Sequence, residues 1–203
     1  MKKYAVLHEP GDIVTLAGTR FVVLDVERRG SLPDSLFLLA LESVGASEFG
    51  SSNNYAESDL KKAVDKWLED MGKRGLDNAK LIPREIDLTT LDGSGCYGKL
   101  SVKAAPLTLD EAREYADIIP NAERWCWLAT GWSGPSKSDG DLALYVVSDG
   151  DWYDGSCSSS FGIRPALKVP SILFEDSEAG LDLSKIPTDD LLQEIHRRLA
   201  EKA

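Results

Sequence analysis

Histidine and cysteine are scarce in this chain. Of 203 residues only two are histidines, His8 and His196, near opposite ends, and three are cysteines, Cys96, Cys126 and Cys157, without C-x-x-C spacing. An odd, unspaced set argues against a disulfide framework and against a zinc site. It also thins the catalytic options, because acid/base and nucleophilic work near neutral pH most often recruits His, or Cys beside His. Long hydrophobic runs are missing too: no stretch of about 18 apolar residues occurs, and the apolar segment after Met1, Lys2, Lys3 and Tyr4 is interrupted by Glu9 and Pro10. The expectation is a soluble chain with no membrane association and no signal peptide, cytoplasmic or carried on a virion. Positive charge is in deficit, 23 Lys and Arg against 34 Asp and Glu, for a net charge of −11. That field repels phosphate backbones, so nucleic acid is not an expected partner.

What is present suffices for a folded domain. With 42% hydrophobic and 28% charged residues, the chain can bury one core and carry a small appendage. Gly11 to Gly18 and Thr19 to Val26 read as two strands joined at Ala17 and Gly18, with Phe21, Val23 and Asp25 alternating against Val22, Leu24 and Val26. A third strand is expected over Ser35 to Leu41. Leu60, Ala63, Val64, Trp67, Leu68 and Met71 then repeat at helical spacing, with Ser58 as N-cap and Gly72 just past the end. Residues 73–106 hint at short extended pieces, with a turn at Asp92 to Gly95. Thr108 and Glu111 form a capping box for a second helix expected to run to Ile119, closed by Pro120.

Farther along, Trp125 to Ala129, Leu142 to Val147 and Phe161 to Val169 have strand length and apolar character. Between them, residues 131–160 hold eight Ser, five Asp and five Gly, a composition that alone suggests a solvated loop or linker. Trp132, Tyr145, Trp152, Tyr153 and Phe161 argue otherwise, because large aromatics in a linker have nothing to pack on. After Pro170, an acidic connection leads to a tail helix from Thr188 to Lys202 with Leu191, Leu192, Ile195 and Leu199 on one face. That stripe must dock on the domain or on another chain, a second copy included. Two units follow: residues 1–170, and a connection plus helix over 171–203.

Several strings together resemble a family of C-type-lectin-like domains from gut bacteria and their phages. Its members show G-D-x-V, N-x-Y-x-x-S-x-L leading to W-L, L-S-x-E-E-A, W-W-L-R-S and a closing G-V-R-P-A-L. Here these are Gly11-Asp12-Ile13-Val14, Asn53 to Leu60 leading to Trp67-Leu68, Leu107 to Ala112, Trp125 to Thr130, and Gly162-Ile163-Arg164-Pro165-Ala166-Leu167. The likeness covers residues 11–169 and departs at Ala129-Thr130, where the family has Arg-Ser. It implies an α+β fold in which two helices flank an antiparallel sheet and a long irregular C-terminal excursion forms a ligand-binding surface. The cysteine pair of the related formylglycine-generating enzymes has no counterpart here. Neither have the E-P-N, Q-P-D and W-N-D calcium strings of sugar-binding lectins. No catalytic residue and no cofactor is expected. A calcium ion on Asp149, Asp151 and Asp154 is conceivable through oxygen ligands, although carboxylates in Gly-rich turns are commonly solvated.

Some relatives in that family are variable proteins of diversity-generating retroelements, in which template adenines become random bases at chosen codons. Mutated Asn codons yield Ser, Asp, Gly, Tyr and Cys. Ser148, Asp149, Asp151, Tyr153, Asp154, Ser156, Cys157, Ser158, Ser159 and Ser160 are of this kind, whereas Leu142, Leu144, Val146, Gly150, Trp152 and Phe161 read as scaffold. Turn preference explains Ser, Gly and Asp equally well without mutagenic history. On the diversified reading the chain is a receptor-recognition protein for a protein or glycan on a cell surface. Its contact residues are Thr130, Trp132, Ser133, Ser136, Ser138, Asp139, Asp141, Tyr145, Ser148, Asp149, Asp151, Tyr153, Asp154, Ser156, Ser158, Ser159 and Ser160. Tyr and Trp supply rigid contact area and Ser, Gly and Asp adaptable hydrogen bonds, as in antibody loops. Trp127, Trp152, Arg164 and Pro165 are expected to hold the backbone, Arg164 through an internal carboxylate or carbonyl partner.

Overall fold

A computed structural model describes residues 8–30 and 32–174. The expected tail helix over 188–202 lies outside them. The fold is α+β, and two five-stranded sheets and a two-stranded ribbon replace the single sheet expected.

The first hairpin forms where the alternation places it. Strands β1 (Ile13–Leu16) and β2 (Thr19–Arg29) pair antiparallel, and Ala17 and Gly18 turn the chain with φ of 46° and 76°, the two positive values a tight hairpin requires. Strand β3 (Leu32–Ala40) pairs with β2, and a register shift between Val23 and Asp25 breaks the alternation. In consequence Val26 packs on the same core as Phe21 and Val23, not opposite them.

A short strand β4 (Ala46–Glu48) and a 3-10 turn lead into helix α1 (Asp59–Lys73), which buries Leu60, Val64 and Met71. Ser58 caps it, its hydroxyl accepting from the Lys61 amide at 2.9 Å. Gly72 is inside this helix, not past it. A Cβ there would meet the Asn78 amide nitrogen at 3.0 Å, and that amide donates to the Leu68 carbonyl, so Gly72 makes room for a side chain that closes the helix. The intervening segment contributes the ribbon β5 (Arg84–Asp87) with β6 (Lys99–Val102), then β7 (Ala104–Ala105).

Helix α2 (Leu109–Glu114) starts on its capping box, with Thr108 accepting from the Glu111 amide and Glu111 from the Thr108 amide. It ends five residues before Ile119. Beyond Glu114 the Tyr115 carbonyl accepts from both Ile118 and Ile119, and the chain leaves the helix as turns. Glu111 also pairs with the buried Arg84, which donates to the Ala105 and Pro106 carbonyls and ties the ribbon to this helix start.

The last strands are β8 (Cys126–Gly131), β9 (Leu142–Val146), β10 (Trp152–Ser156), β11 (Ser160–Gly162) and β12 (Ala166–Pro170). One sheet runs β1-β2-β3-β12-β7 and the other β10-β9-β8-β11-β4, with β11 parallel to β8. The single run expected over Phe161 to Val169 is therefore two strands in different sheets. Pro165, with no N–H to donate, marks the crossing, and its carbonyl accepts from Ala40 at 2.9 Å. Arg164 sits at the same crossing, donating from Nε to the Ala40 carbonyl at 3.0 Å and from Nη1 to the Pro120 carbonyl at 3.2 Å. Ser171–Phe174 form a 3-10 turn whose Phe174 is buried on the main core.

Two apolar clusters result. Phe21, Phe49, Tyr55, Leu60 and Trp127 belong to the larger, and Val22, Leu24, Leu39, Leu128 and Leu144 to the smaller. One buried polar side chain joins them to the long excursion. Asn53 donates from Nδ2 to the Ser133 and Leu142 carbonyls, each at 2.9 Å, and accepts from the Tyr97 hydroxyl at 2.6 Å. Replacing it with Ala removes three buried hydrogen bonds and leaves the Tyr97 hydroxyl and Ser133 carbonyl to find new partners. The Asn53→Ala variant is expected to lose about 2–4 kcal/mol of unfolding free energy in urea titrations, with little change in m.

Candidate functional site

Beyond the Asn53 anchor, the excursion contributes two paired strands of its own. Strands β9 and β10 form a hairpin whose turn is closed by Val147 donating to the Asp151 carbonyl at 2.8 Å and Gly150 to the Val147 carbonyl at 3.1 Å, with Gly150 at φ 96°. Among the described residues β10 is the edge of its sheet. Its alternation sends Tyr153 to one face and Trp152 to the other.

On the Tyr153 face, four aromatic rings form a continuous plate. Trp125 and Tyr145 are stacked at 5.3 Å and 22°, Tyr145 lies 4.4 Å from Phe161, and Tyr153 extends the row at 6.3 Å from Tyr145. The row is exposed at its ends, where Trp125 is 47% and Tyr153 53% accessible, and half-buried at Tyr145 and Phe161. Beneath it Trp127 is buried, 4.6 Å from Phe161, and its indole N–H donates to the Ser47 carbonyl at 2.9 Å. The cross-strand pairing of Tyr153 with Tyr145 fixes the spacing of two rings. Gly155 permits the packing, because a Cβ there would lie 3.0 Å from Tyr145 and 3.2 Å from Phe161. Burial raises the Tyr145 phenol above its ordinary range, and the Asp154 charge adds to this, so its hydroxyl remains a donor at neutral pH. Ser148, Ser160, Arg124 and Glu123 join Trp125 and Phe161 around a shallow depression of about 440 Å³.

The expected contact residues divide by burial. Ser136, Ser138, Asp141, Ser148, Asp149, Asp151, Tyr153, Asp154, Ser158 and Ser160 are exposed, and Trp132, Asp139, Tyr145, Ser156 and Ser159 are half-buried. Thr130 and Ser133 are buried and face no solvent, contrary to expectation. Thr130 accepts the Leu109 amide at 2.9 Å and so holds the start of α2, while the Ser133 carbonyl is taken by Asn53. Trp132 packs against the smaller core. Cys157 also departs from the diversified pattern, being buried, and Trp152 departs from the scaffold one, being 40% exposed.

Trp125, expected as a strand start, and Phe161, expected as scaffold, instead contribute rings to the Tyr153 face. A signal existed: Trp125 and Trp127 are two apart and share a strand face. Burial pushes the Cys126 thiol up to about 11 and the Cys157 thiol up to about 12, which suits neither for nucleophilic work at neutral pH. Asp149, Asp151 and Asp154 are exposed, and among the described residues no three His, Cys, Asp or Glu side chains converge as metal ligands. No described helix is long and apolar enough to cross a membrane. No known protein family, curated protein or solved structure matches this chain, so the functional reading rests on the geometry.

The outer loop is pinned at Asp92, which accepts from Lys137 and Thr90, both at 2.5 Å. These bonds, Lys137 first, lower the Asp92 carboxyl from 3.8 to about 2. A depressed folded value means the stabilisation is complete above the unfolded value and is lost as pH falls through the folded one. The difference in unfolding midpoint between wild type and Asp92→Asn should therefore be constant above about pH 4 and shrink toward pH 2. Thermal melts across that range, repeated in high salt to screen the pair, check this.

Proposed function

We propose that the chain is a ligand-recognition protein that meets a surface-displayed protein or glycan with the aromatic plate and the Ser- and Asp-rich hairpin around it. The observation that carries this reading is the plate itself. Four contiguous rings lie on a sheet face with Trp125 and Tyr153 open to solvent, although apolar rings of this size are ordinarily covered in a domain with a well-formed core. Rigid rings beside exposed Ser and Asp give large contact area at low entropic cost together with adaptable polar groups. In the C-type-lectin-like arrangement that the motifs resemble, this excursion is the ligand-facing part.

Diversification by a retroelement belongs to the same proposal. Seven of the ten positions in the Asn-codon set, Ser148, Asp149, Asp151, Tyr153, Asp154, Ser158 and Ser160, are exposed, where substitution costs the fold little. The other three are Ser156 and Ser159, half-buried, and Cys157, buried. The carboxylates of Asp149, Asp151 and Asp154 are exposed, whereas a hydrolytic acid and base pair relies on burial.

Replacing Tyr153, Asp154 and Ser158 together should change which members of an array of bacterial surface proteins and glycans are retained, with unfolding free energy within about 1 kcal/mol of wild type. Trp125→Ala should weaken retention of every ligand. A triple variant that unfolds, or that retains the same ligands equally well, would sink the recognition reading. For diversification, a near-copy of codons 125–167 differing only at adenines is expected beside a reverse-transcriptase gene.

A further inference from the structure

The opposite face of the same hairpin borders a second cavity, of about 390 Å³, within the range of small-molecule sites. Much of its wall is apolar: Leu128 and Val146 from the sheet, Trp152 from the edge strand, and Ala112 and Ile119 from α2 and the turns after it. Arg164 also lines it and is only 6% exposed. Two of its three guanidinium nitrogens donate to the Ala40 and Pro120 carbonyls, and the third, Nη2, is buried with no hydrogen-bond partner. No carboxylate among the described residues pairs with this cation. The Cys126 thiol, which interacts with it electrostatically, is neutral at physiological pH because burial raises it to about 11.

A buried charge without a counter-charge is unfavourable, and burial accordingly lowers the affinity of Arg164 for its proton. An anion in the adjoining cavity would supply that counter-charge in a low-dielectric setting, where the attraction is large. The other cation on the wall is already engaged: Arg113 lies 5.1 Å over the Trp152 ring and pairs with Asp110 at 3.5 Å. Asp149 and Asp151, exposed and also lining the cavity, bring two negative charges to its mouth. They disfavour polyanions, so the charge the site accepts is single.

We infer that this cavity binds a small monocarboxylate with a flat apolar body, its carboxylate directed to Arg164 and its ring lying against Trp152. The site is separate from the aromatic plate and does not depend on the recognition reading.

Indole-3-acetate, its neutral amide indole-3-acetamide, and adenosine monophosphate test this by titration calorimetry and amide chemical-shift mapping on the full chain. Indole-3-acetate should bind in the submillimolar range and move the amides of Ala112, Ala122 and Val146. The neutral amide should bind at least about tenfold more weakly, and the nucleotide not detectably. Ala116→Trp, a substitution at an exposed position on the cavity rim, should abolish binding with the melting temperature retained, whereas Tyr153→Ala on the other face should leave it unchanged. Equal affinity for acid and amide, shifts confined to the Trp125 and Tyr153 side, or no binding of the acid at millimolar concentration would each overturn the inference.

Discussion

The ordering of the long excursion depends on the buried amide of Asn53. The segment of it over 133–141, made of Ser, Gly, Asp, Pro and Lys, has little apolar surface to bury, so something other than the hydrophobic effect must hold its backbone in place. Asn53 does this with both donors and its acceptor engaged, on the Ser133 and Leu142 carbonyls and the Tyr97 hydroxyl. A hydrogen-bonded amide inside a protein is rigid, because any displacement leaves a polar group unpartnered in a low-dielectric site. The fit is close enough that Gly131 admits no side chain: a Cβ there would fall 2.8 Å from the Asn53 amide carbon. Asn53 lies just before the 3-10 turn and α1, so the excursion is tied to the start of the longer of the two described α-helices.

With its root held this way, the hairpin of β9 and β10 presents two faces of different character. One carries rings stacked on rings and open to solvent at Trp125 and Tyr153. The other covers a cavity with a lone buried cation beside it. The alternation of a single edge strand assigns Tyr153 to the first and Trp152 to the second. Asp154 is exposed, whereas a side chain at Gly155 would strike the Tyr145 and Phe161 rings.

The crossing at Gly162 to Pro165 serves both sheets. Gly162 passes within contact distance of the Cys126 sulfur, where a Cβ would lie at 2.8 Å, and Arg164 ties the end of β3 to the turn before β8 through two carbonyls. Carbonyls satisfy its hydrogen bonds in part and leave its charge uncompensated. That distinction sets this arginine apart from Arg84, which has Glu111.

Local features were legible in the sequence wherever one short-range force decides them. The spacing of Leu60, Val64 and Met71 defines the buried stripe of α1, Ser58 and the pair Thr108 and Glu111 define helix starts, and Ala17 with Gly18 defines a turn, because each rests on neighbours in the chain. Composition likewise determined that the excursion holds aromatics needing something to pack on. Tertiary structure decided the rest. Gly72 as a close approach for Asn78, the break of Phe161 to Val169 into two sheets, the burial of Thr130 and Ser133, and the joining of Trp125, Tyr145, Tyr153 and Phe161 into one plate all depend on residues far apart in sequence. Strand alternation says only that two residues share a face, and which face lies against a core or against water is settled by what folds over it.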